Sequence, residues 1–352
     1  MSKFSLLFNV PLYISFIMFY SCENNYSDAS NNDTTVGCDM LIMVDSSRGE
    51  CSETLNIENQ FSITTSGDLR KITSNNIPAH DVGLFGNTPG ALNPNRITEQ
   101  NSSYDIDLTP SITNSKIYLL NNGPAYSFGV LLNGVEVDPV AAEPWPHTKP
   151  VTNNHNWNWN LEASMVDIGL DCNTAHVQPS GKYHYHGVPM LYLESIEPNF
   201  NEMLHVGWAA DGHPIYYTYG YSNAYDNSSI VKTLSSSYQL KSGERPGDGE
   251  SAPCGTYTGV YSSDYEFIEG LGDLDECNGR EGVTPEFPEG TYYYVITNEF
   301  PGVPVGPGVK TRAPPEYVAS KSFVSLLSLS LKPAPIWSAA FATTAVVSKG
   351  NL

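Results

Sequence analysis

The stretch His176-Val177-Gln178-Pro179-Ser180-Gly181-Lys182-Tyr183-His184-Tyr185-His186 decides how this chain is read. Pro179-Ser180-Gly181 has the chemistry of a three-residue hairpin loop. Glycine accepts the left-handed backbone that closes such a loop with a bulge, and proline presets one turn angle. Counting outward predicts Gln178 opposite Lys182, Val177 opposite Tyr183 and His176 opposite His184. Directly opposed residues hold their Cβ atoms about 4.5–5.5 Å apart. Side chains alternate across a strand, so His186 shares the face of His184, roughly 7 Å further along. Tyr183 and Tyr185 point the other way. Three imidazoles are thus expected to converge on one face.

Imidazole is a preferred ligand of zinc, copper, iron and nickel. His176, His184 and His186 are therefore candidate metal ligands, with copper or zinc favoured and iron compatible. An open fourth position would make such a centre catalytic, whereas a fourth protein ligand would close it for structure or storage. His205 is a candidate fourth ligand. Asp211, in Ala210-Asp211-Gly212, is a candidate outer-shell partner or general base. The oxygen-rich run Asp273-Leu274-Asp275-Glu276-Cys277-Asn278-Gly279 makes calcium a further candidate near Asp273 and Asp275, although its spacing is not that of an EF-hand loop.

Around the hairpin, short β-branched and aromatic runs alternate with turn residues. Gln60–Thr64, Leu69–Thr73, Lys116–Leu120, Ile215–Tyr219 and Tyr292–Thr297 are expected strands. Tyr126–Leu132 and Val135–Val137 flank Asn133-Gly134, the signature of a tight hairpin. Helical periodicity is scarce, and Leu161–Val166 offers one turn or two. With 29 Gly, 25 Pro and 22 Tyr, the composition favours strands and turns. The expected fold is mainly β: an antiparallel β-sandwich or a compact β-rich domain with long loops and few helices.

The N-terminus has the pattern of an export signal. Lys3 precedes Phe4–Tyr20, which is uncharged and almost wholly apolar, and a polar run begins after Cys22. Phe19-Tyr20-Ser21-Cys22 is similar to a bacterial lipobox, so Cys22 is the expected lipidation site. The chain would then be held at a membrane by its lipid, as an outer-membrane or cell-surface lipoprotein, and otherwise secreted. Residues 1–21 form the signal peptide in this reading, 22–37 a tether, 38–100 a small N-terminal region, 101–301 the main domain, and 302–352 a Pro-rich linker and low-complexity tail.

The 38 acidic residues against 17 Lys and Arg argue against a nucleic-acid partner, which needs a basic patch. In an oxidising compartment cysteines pair by default. Cys38 and Cys51 form the natural local pair, and Cys172, Cys254 and Cys277 leave one over. No GxSxG elbow, HExxH helix, P-loop or dinucleotide fingerprint is present.

At these residues the chain resembles the YHYH family of exported proteins. The likeness runs through Phe128-Gly129-Val130 and Asn133-Gly134-Val135, Gly169-Leu170-Asp171, and His176-Val177-Gln178-Pro179 with Tyr183-His184-Tyr185-His186-Gly187. It continues through Gly207-Trp208-Ala209-Ala210-Asp211-Gly212 with Pro214-Ile215-Tyr216, then Gly272–Gly279 and Glu289-Gly290-Thr291-Tyr292-Tyr293-Tyr294. That covers roughly residues 100–301. The resemblance implies no particular reaction.

Three functions fit this reading. One is an exported, lipid-anchored metal-binding β-domain. Another is a metal-dependent hydrolase or oxidase using the same site, with Asp211 as base. The third is a surface-recognition or carbohydrate-binding module built on its tyrosines and on Trp145, Trp157, Trp159 and Trp208.

Overall fold

In the computed structural model the hairpin closes in the expected register. His176 pairs with His184 and Val177 with Tyr183, across antiparallel strands Ala175–Val177 and Tyr183–Tyr185. Gly181 takes φ +84°, and its N–H donates to the Gln178 carbonyl at 2.8 Å. The structure describes residues 42–111, 116–119, 127–196, 199, 201–303 and 310–312.

This hairpin is one end of an eight-stranded sheet. From that edge the order is Ala175–Val177, Tyr183–Tyr185, Glu136–Val137, Gly129–Leu131, Leu204–Ala209, Pro214–Tyr217, Thr291–Ile296 and Gly279–Gly282. The fold is mainly β, as expected. The sheet is mixed rather than purely antiparallel, because Tyr183–Tyr185 runs parallel to Glu136–Val137, and Pro214–Tyr217 parallel to Thr291–Ile296. Parallel neighbours need long connections, and the long loops supply them. The expected Asn133-Gly134 hairpin is present, with Gly134 alone of the two at positive φ (+80°).

The core packs against one face of the hairpin. Tyr183 and Tyr185 are fully buried in a cluster with Phe128, Val135, Val137, Val206 and Ile215. Buried tyrosines need hydrogen-bond partners for their hydroxyls. Tyr183 donates to Asp171 Oδ2 at 2.8 Å, and the Tyr185 hydroxyl lies 2.8 Å from Asn133 Nδ2 and 2.7 Å from His80 Nε2. The side of the hairpin that carries no histidine is thereby held rigid.

Residues 38–100 are not separate from the main domain. Strands Phe61–Ser66, Leu69–Ser74 and Ser102–Asp107 form one sheet across the expected boundary, and the described residues on its two sides belong to a single compact unit. Ile72, Tyr104 and Ile106 of that sheet pack on Val130 and Trp208 of the larger one. Asn76 (φ +56°) donates from Nδ2 to the Tyr183 carbonyl, and its Oδ1 accepts from Glu136 N–H at 3.3 Å. This early loop is therefore stitched directly to the hairpin.

The expected Cys38–Cys51 pairing is corrected: Cys51 is bonded to Cys172, with their Cα atoms 5.6 Å apart. Proximity in sequence lost to the tertiary fold. Gly49 bridges to Asp171 in parallel, and Gly49 N–H donates to the Leu170 carbonyl at 2.9 Å, which sets the two cysteines side by side. Cys254 is also disulfide-bonded, and Cys277 is a buried thiol.

Leu161–Val166 yields only a short 3₁₀ turn at Ala163–Met165, and the single α-helix of the described residues is Met190–Ser195. The signal segment, the tether, Cys22 and Cys38 lie outside the described residues. So does the tail after 303, apart from Lys310–Arg312, which pairs antiparallel with Lys116–Tyr118. Among the described residues no helix is long and apolar enough to cross a membrane.

Candidate metal centre

The three hairpin histidines meet through their Nε2 atoms. His184 Nε2 lies 2.9 Å from His186 Nε2, which in turn lies 3.1 Å from His176 Nε2. The ring centroids are 4.6–4.8 Å apart. His184 and His186 are buried, at 2% and 4% exposure, and His176 is half-buried.

The opposite ring nitrogens fix the tautomers. His176 Nδ1 lies 3.0 Å from the Ile168 carbonyl, and His184 Nδ1 lies 3.4 Å from the Lys182 carbonyl. A carbonyl only accepts, so these Nδ1 atoms carry the hydrogens and the Nε2 atoms present lone pairs. His186 Nδ1 is buried without a hydrogen bond of ordinary geometry, although the Pro139 carbonyl is near enough to favour a proton there. The anchoring of the distal nitrogen to a carbonyl is the arrangement that orients histidine ligands at metal centres.

Burial disfavours imidazolium. It holds His184 and His186 well below the usual imidazole range, and the neighbouring histidines lower both further. His176 is also lowered by burial, against the pull of the Ile168 carbonyl and of Glu143. All three imidazoles are therefore neutral at physiological pH, the state a metal requires.

Neighbouring strands brace this face. Glu136, in register with His184, accepts from Lys182 Nζ at 2.8 and 2.9 Å and from the Tyr104 hydroxyl at 2.7 Å. Two residues on, Asp138 accepts from Gln178 Nε2 at 3.3 Å, and burial pushes its carboxyl up to about 7.

The expected supporting residues do not join the cluster. Among the described residues, the group able to hold a metal consists of His176, His184 and His186. His205 turns its Nε2 onto the Gly207 carbonyl at 2.9 Å and packs its ring against Trp208 and Tyr216. A register shift between His205 and Gly207 redirects the strand there. Asp211 lies in the buried turn that joins Leu204–Ala209 to Pro214–Tyr217, where its Oδ2 accepts from the Tyr294 hydroxyl at 2.6 Å.

The acidic run is likewise engaged. Asp273 meets Lys232 Nζ at 2.6 Å and the Ser235 N–H and hydroxyl, while Asp275 accepts the Cys277 and Gly279 N–H groups. Trp145 and Trp208 are buried, and the Arg70 guanidinium covers the Trp208 ring at 3.2 Å.

Sequence reasoning missed Ile168, Arg48 and Asn76, which act on the hairpin from afar. Ile168 and Arg48 do so through a backbone carbonyl or a loop contact, and neither leaves a local motif. Gly169 was the available clue, because its φ of +75° shapes the turn that presents the Ile168 carbonyl.

The architecture is a mixed-β domain that carries a histidine hairpin at the edge of its main sheet. The family model described as YHYH protein matches residues 103–305, more than half of the chain, and the protein belongs to that family. No curated protein and no solved structure matches the chain.

Proposed function

We propose that this protein is an exported, lipid-anchored metal-binding β-domain whose ligands are His176, His184 and His186. The observation that carries the reading is the meeting of three Nε2 atoms, two of them turned inward by Nδ1–carbonyl contacts. Lone pairs aimed at one another repel unless a proton or a cation lies between them. A metal with nitrogen bonds about 2.0–2.1 Å long, at angles of about 90–110°, sets neighbouring nitrogens about 2.9–3.4 Å apart. Two of the three spacings, 2.9 and 3.1 Å, fall in that range, and all three ligand atoms lie within 4.8 Å of one another. An all-imidazole set suits copper or zinc, and iron is compatible.

Two further observations support parts of this reading. The Cys51–Cys172 disulfide suits an oxidising, extracytoplasmic compartment. The absence of a fourth ligand in the group, among the described residues, suits an open coordination position. That open position is what favours the second reading, a metal-dependent hydrolase or oxidase.

The test is elemental analysis of the full chain, untagged, beside His184→Ala/His186→Ala. About one equivalent of copper, zinc or iron, lost in the variant, is the expected result. No metal in either protein after reconstitution sinks the reading. Anchoring is tested separately: fatty-acid labelling that persists in Cys22→Ser counts against lipidation at Cys22.

A further inference from the structure

Glu136 and Asp138 put two carboxylates on the chain segment beside the histidines. Glu136 is in register with His184, and Asp138 follows level with His186. The Asp138 N–H donates to the Tyr185 carbonyl at 2.9 Å, at the residue between the two histidines. Neighbouring strands run about 4.7–4.9 Å apart, so both positions flank the cluster directly. Their side chains reach residues of the face that bears the rings. Glu136 accepts from Lys182 Nζ at 2.8 Å, and Asp138 Oδ2 accepts from Gln178 Nε2 at 3.3 Å. Alternation puts Lys182 on the face of His184 and Gln178 on that of His176.

The two carboxylates are matched differently. Glu136 accepts twice from Lys182, from the Tyr104 hydroxyl at 2.7 Å and from the Ser127 hydroxyl at 3.2 Å. Asp138 has no cation at ion-pair distance among the described residues, because Lys182 pairs with Glu136. Its Oδ1 is buried and accepts no hydrogen bond, and its Oδ2 meets only the neutral Gln178 amide. The Lys182 charge and the Val140 N–H favour its ionised form from longer range. Other acids of the region are engaged. Asp171 accepts from the Tyr183 hydroxyl at 2.8 Å on the opposite face, and Glu143 pairs with Lys149 at 3.2 Å.

A buried charge is costly unless an opposite charge or hydrogen bonds match it. Three neutral imidazoles would leave the charge of a divalent ion uncancelled, and the Asp138 carboxylate lies alongside without a cation. We infer that Asp138 supplies the negative charge that balances a divalent ion in the histidine centre. The group able to ligate consists of the three histidines, so Asp138 acts from beside them on the charge of the metal. The inference rests on the metal reading above. It assigns the residue that makes the centre prefer a divalent ion to a monovalent one.

The test uses the full chain reconstituted with copper, the tightest-binding of the first-row divalent ions, which one site can hold as Cu(I) or Cu(II). It is run at pH 8, above the value of about 7 to which burial pushes the Asp138 carboxyl. The Cu(II)/Cu(I) potentials of wild type, Asp138→Asn and Asp138→Glu are compared by redox titration followed in the Cu(II) EPR signal. Coulomb attraction scales with the charge of the ion, so removing the carboxylate weakens Cu(II) more than Cu(I). Asp138→Asn is expected to hold the same copper equivalent with a potential raised by about 60–120 mV. That is a roughly tenfold to hundredfold selective loss of Cu(II) affinity, at about 59 mV per tenfold for one electron. Asp138→Glu keeps the charge and is expected to stay near wild type. Asp138→Ser carries the comparison if Asp138→Asn fails to fold.

An unchanged potential in copper-loaded Asp138→Asn overturns the role of Asp138 and leaves the metal centre standing. An equal rise in Asp138→Glu also overturns it, because shape rather than charge would then set the potential. Loss of copper in Asp138→Asn would make the residue a structural support, which overturns the inference as well. No copper in the wild type overturns both readings together.

Discussion

His184, in the strand Tyr183–Tyr185, and His186, just past its end, lie two residues apart, and their Nε2 atoms are 2.9 Å from each other in a buried setting. Both are held below the usual imidazole range, first by burial and then by their histidine neighbours. In the unfolded chain each has an ordinary pKa of about 6.5. Below that pH the unfolded chain binds protons that the folded protein refuses, so these groups make stability rise with pH. The window runs from the depressed folded values up to about 6.5, at about 1.4 kcal/mol per pH unit for each histidine. In metal-free protein, His184→Phe/His186→Phe should therefore lose less stability than wild type between pH about 6.5 and 4.5. Urea midpoints across that range measure it, and parallel curves would mean that the histidines titrate normally.

Gly169 carries φ +75°, and a Cβ there would collide with the Leu92 carbonyl. The neighbouring Ile168 carbonyl fixes the tautomer of His176. Gly169→Ala is expected to cost about 1–3 kcal/mol through left-handed strain and the displaced backbone. It should also weaken metal binding more than an equally destabilising substitution far from the hairpin, such as Ile72→Ala. Denaturant unfolding and metal titration of the two variants separate local from global damage.

The Cys51–Cys172 bond closes a span of 121 residues and joins the N-terminal segment to the turn before the hairpin. Removing a native disulfide of this kind typically costs about 2–5 kcal/mol, most of it through the entropy of the unfolded chain. Cys51→Ser/Cys172→Ser should lower the urea midpoint correspondingly. It should also free the Arg48 segment, seen as faster amide exchange at Gly49. An unchanged midpoint would show that the backbone contacts along Asp45–Gly49 suffice.

The hairpin was legible because its information is local. Pro179-Ser180-Gly181 set the loop, and alternation then placed each ring on its face, so His176, His184 and His186 could be read without a structure. The strands around Asn133-Gly134 and at Tyr292–Thr297 were legible for the same reason. What failed was long-range. Cys51 chose Cys172 through a strand bridge at Gly49 and Asp171 that no composition reveals. His205 was a candidate fourth ligand, but a register shift and two aromatic neighbours turn it to a carbonyl. The parallel pairing of Glu136 with His184 depends on two segments far apart in the chain, and only the assembled sheet sets it.

Asp211 provides the last prediction, of opposite sign to that of the histidines. Burial pushes its carboxyl up to about 7, although the Tyr294 hydroxyl at 2.6 Å and the His213 N–H at 3.3 Å both favour the ionised form. Unfolded, the group has an ordinary value of about 3.9. Between about pH 4 and 7 the folded protein holds a proton that the unfolded chain releases, so stability falls as pH rises through that window. An asparagine has the same shape, keeps an oxygen for Tyr294 and cannot titrate. Measured against wild type, Asp211→Asn should therefore gain stability with rising pH, by up to about 1.4 kcal/mol per unit from pH about 4.5 to 7. At the acid end it should be the less stable protein, because the amide sets an N–H group against the His213 N–H. Urea midpoints for the two proteins across that range decide the matter. A constant difference would place the Asp211 carboxyl in its ordinary range. Because Asp211 is not a member of the histidine group, the variant should bind metal as wild type does, and an equal loss of metal would return the residue to the centre.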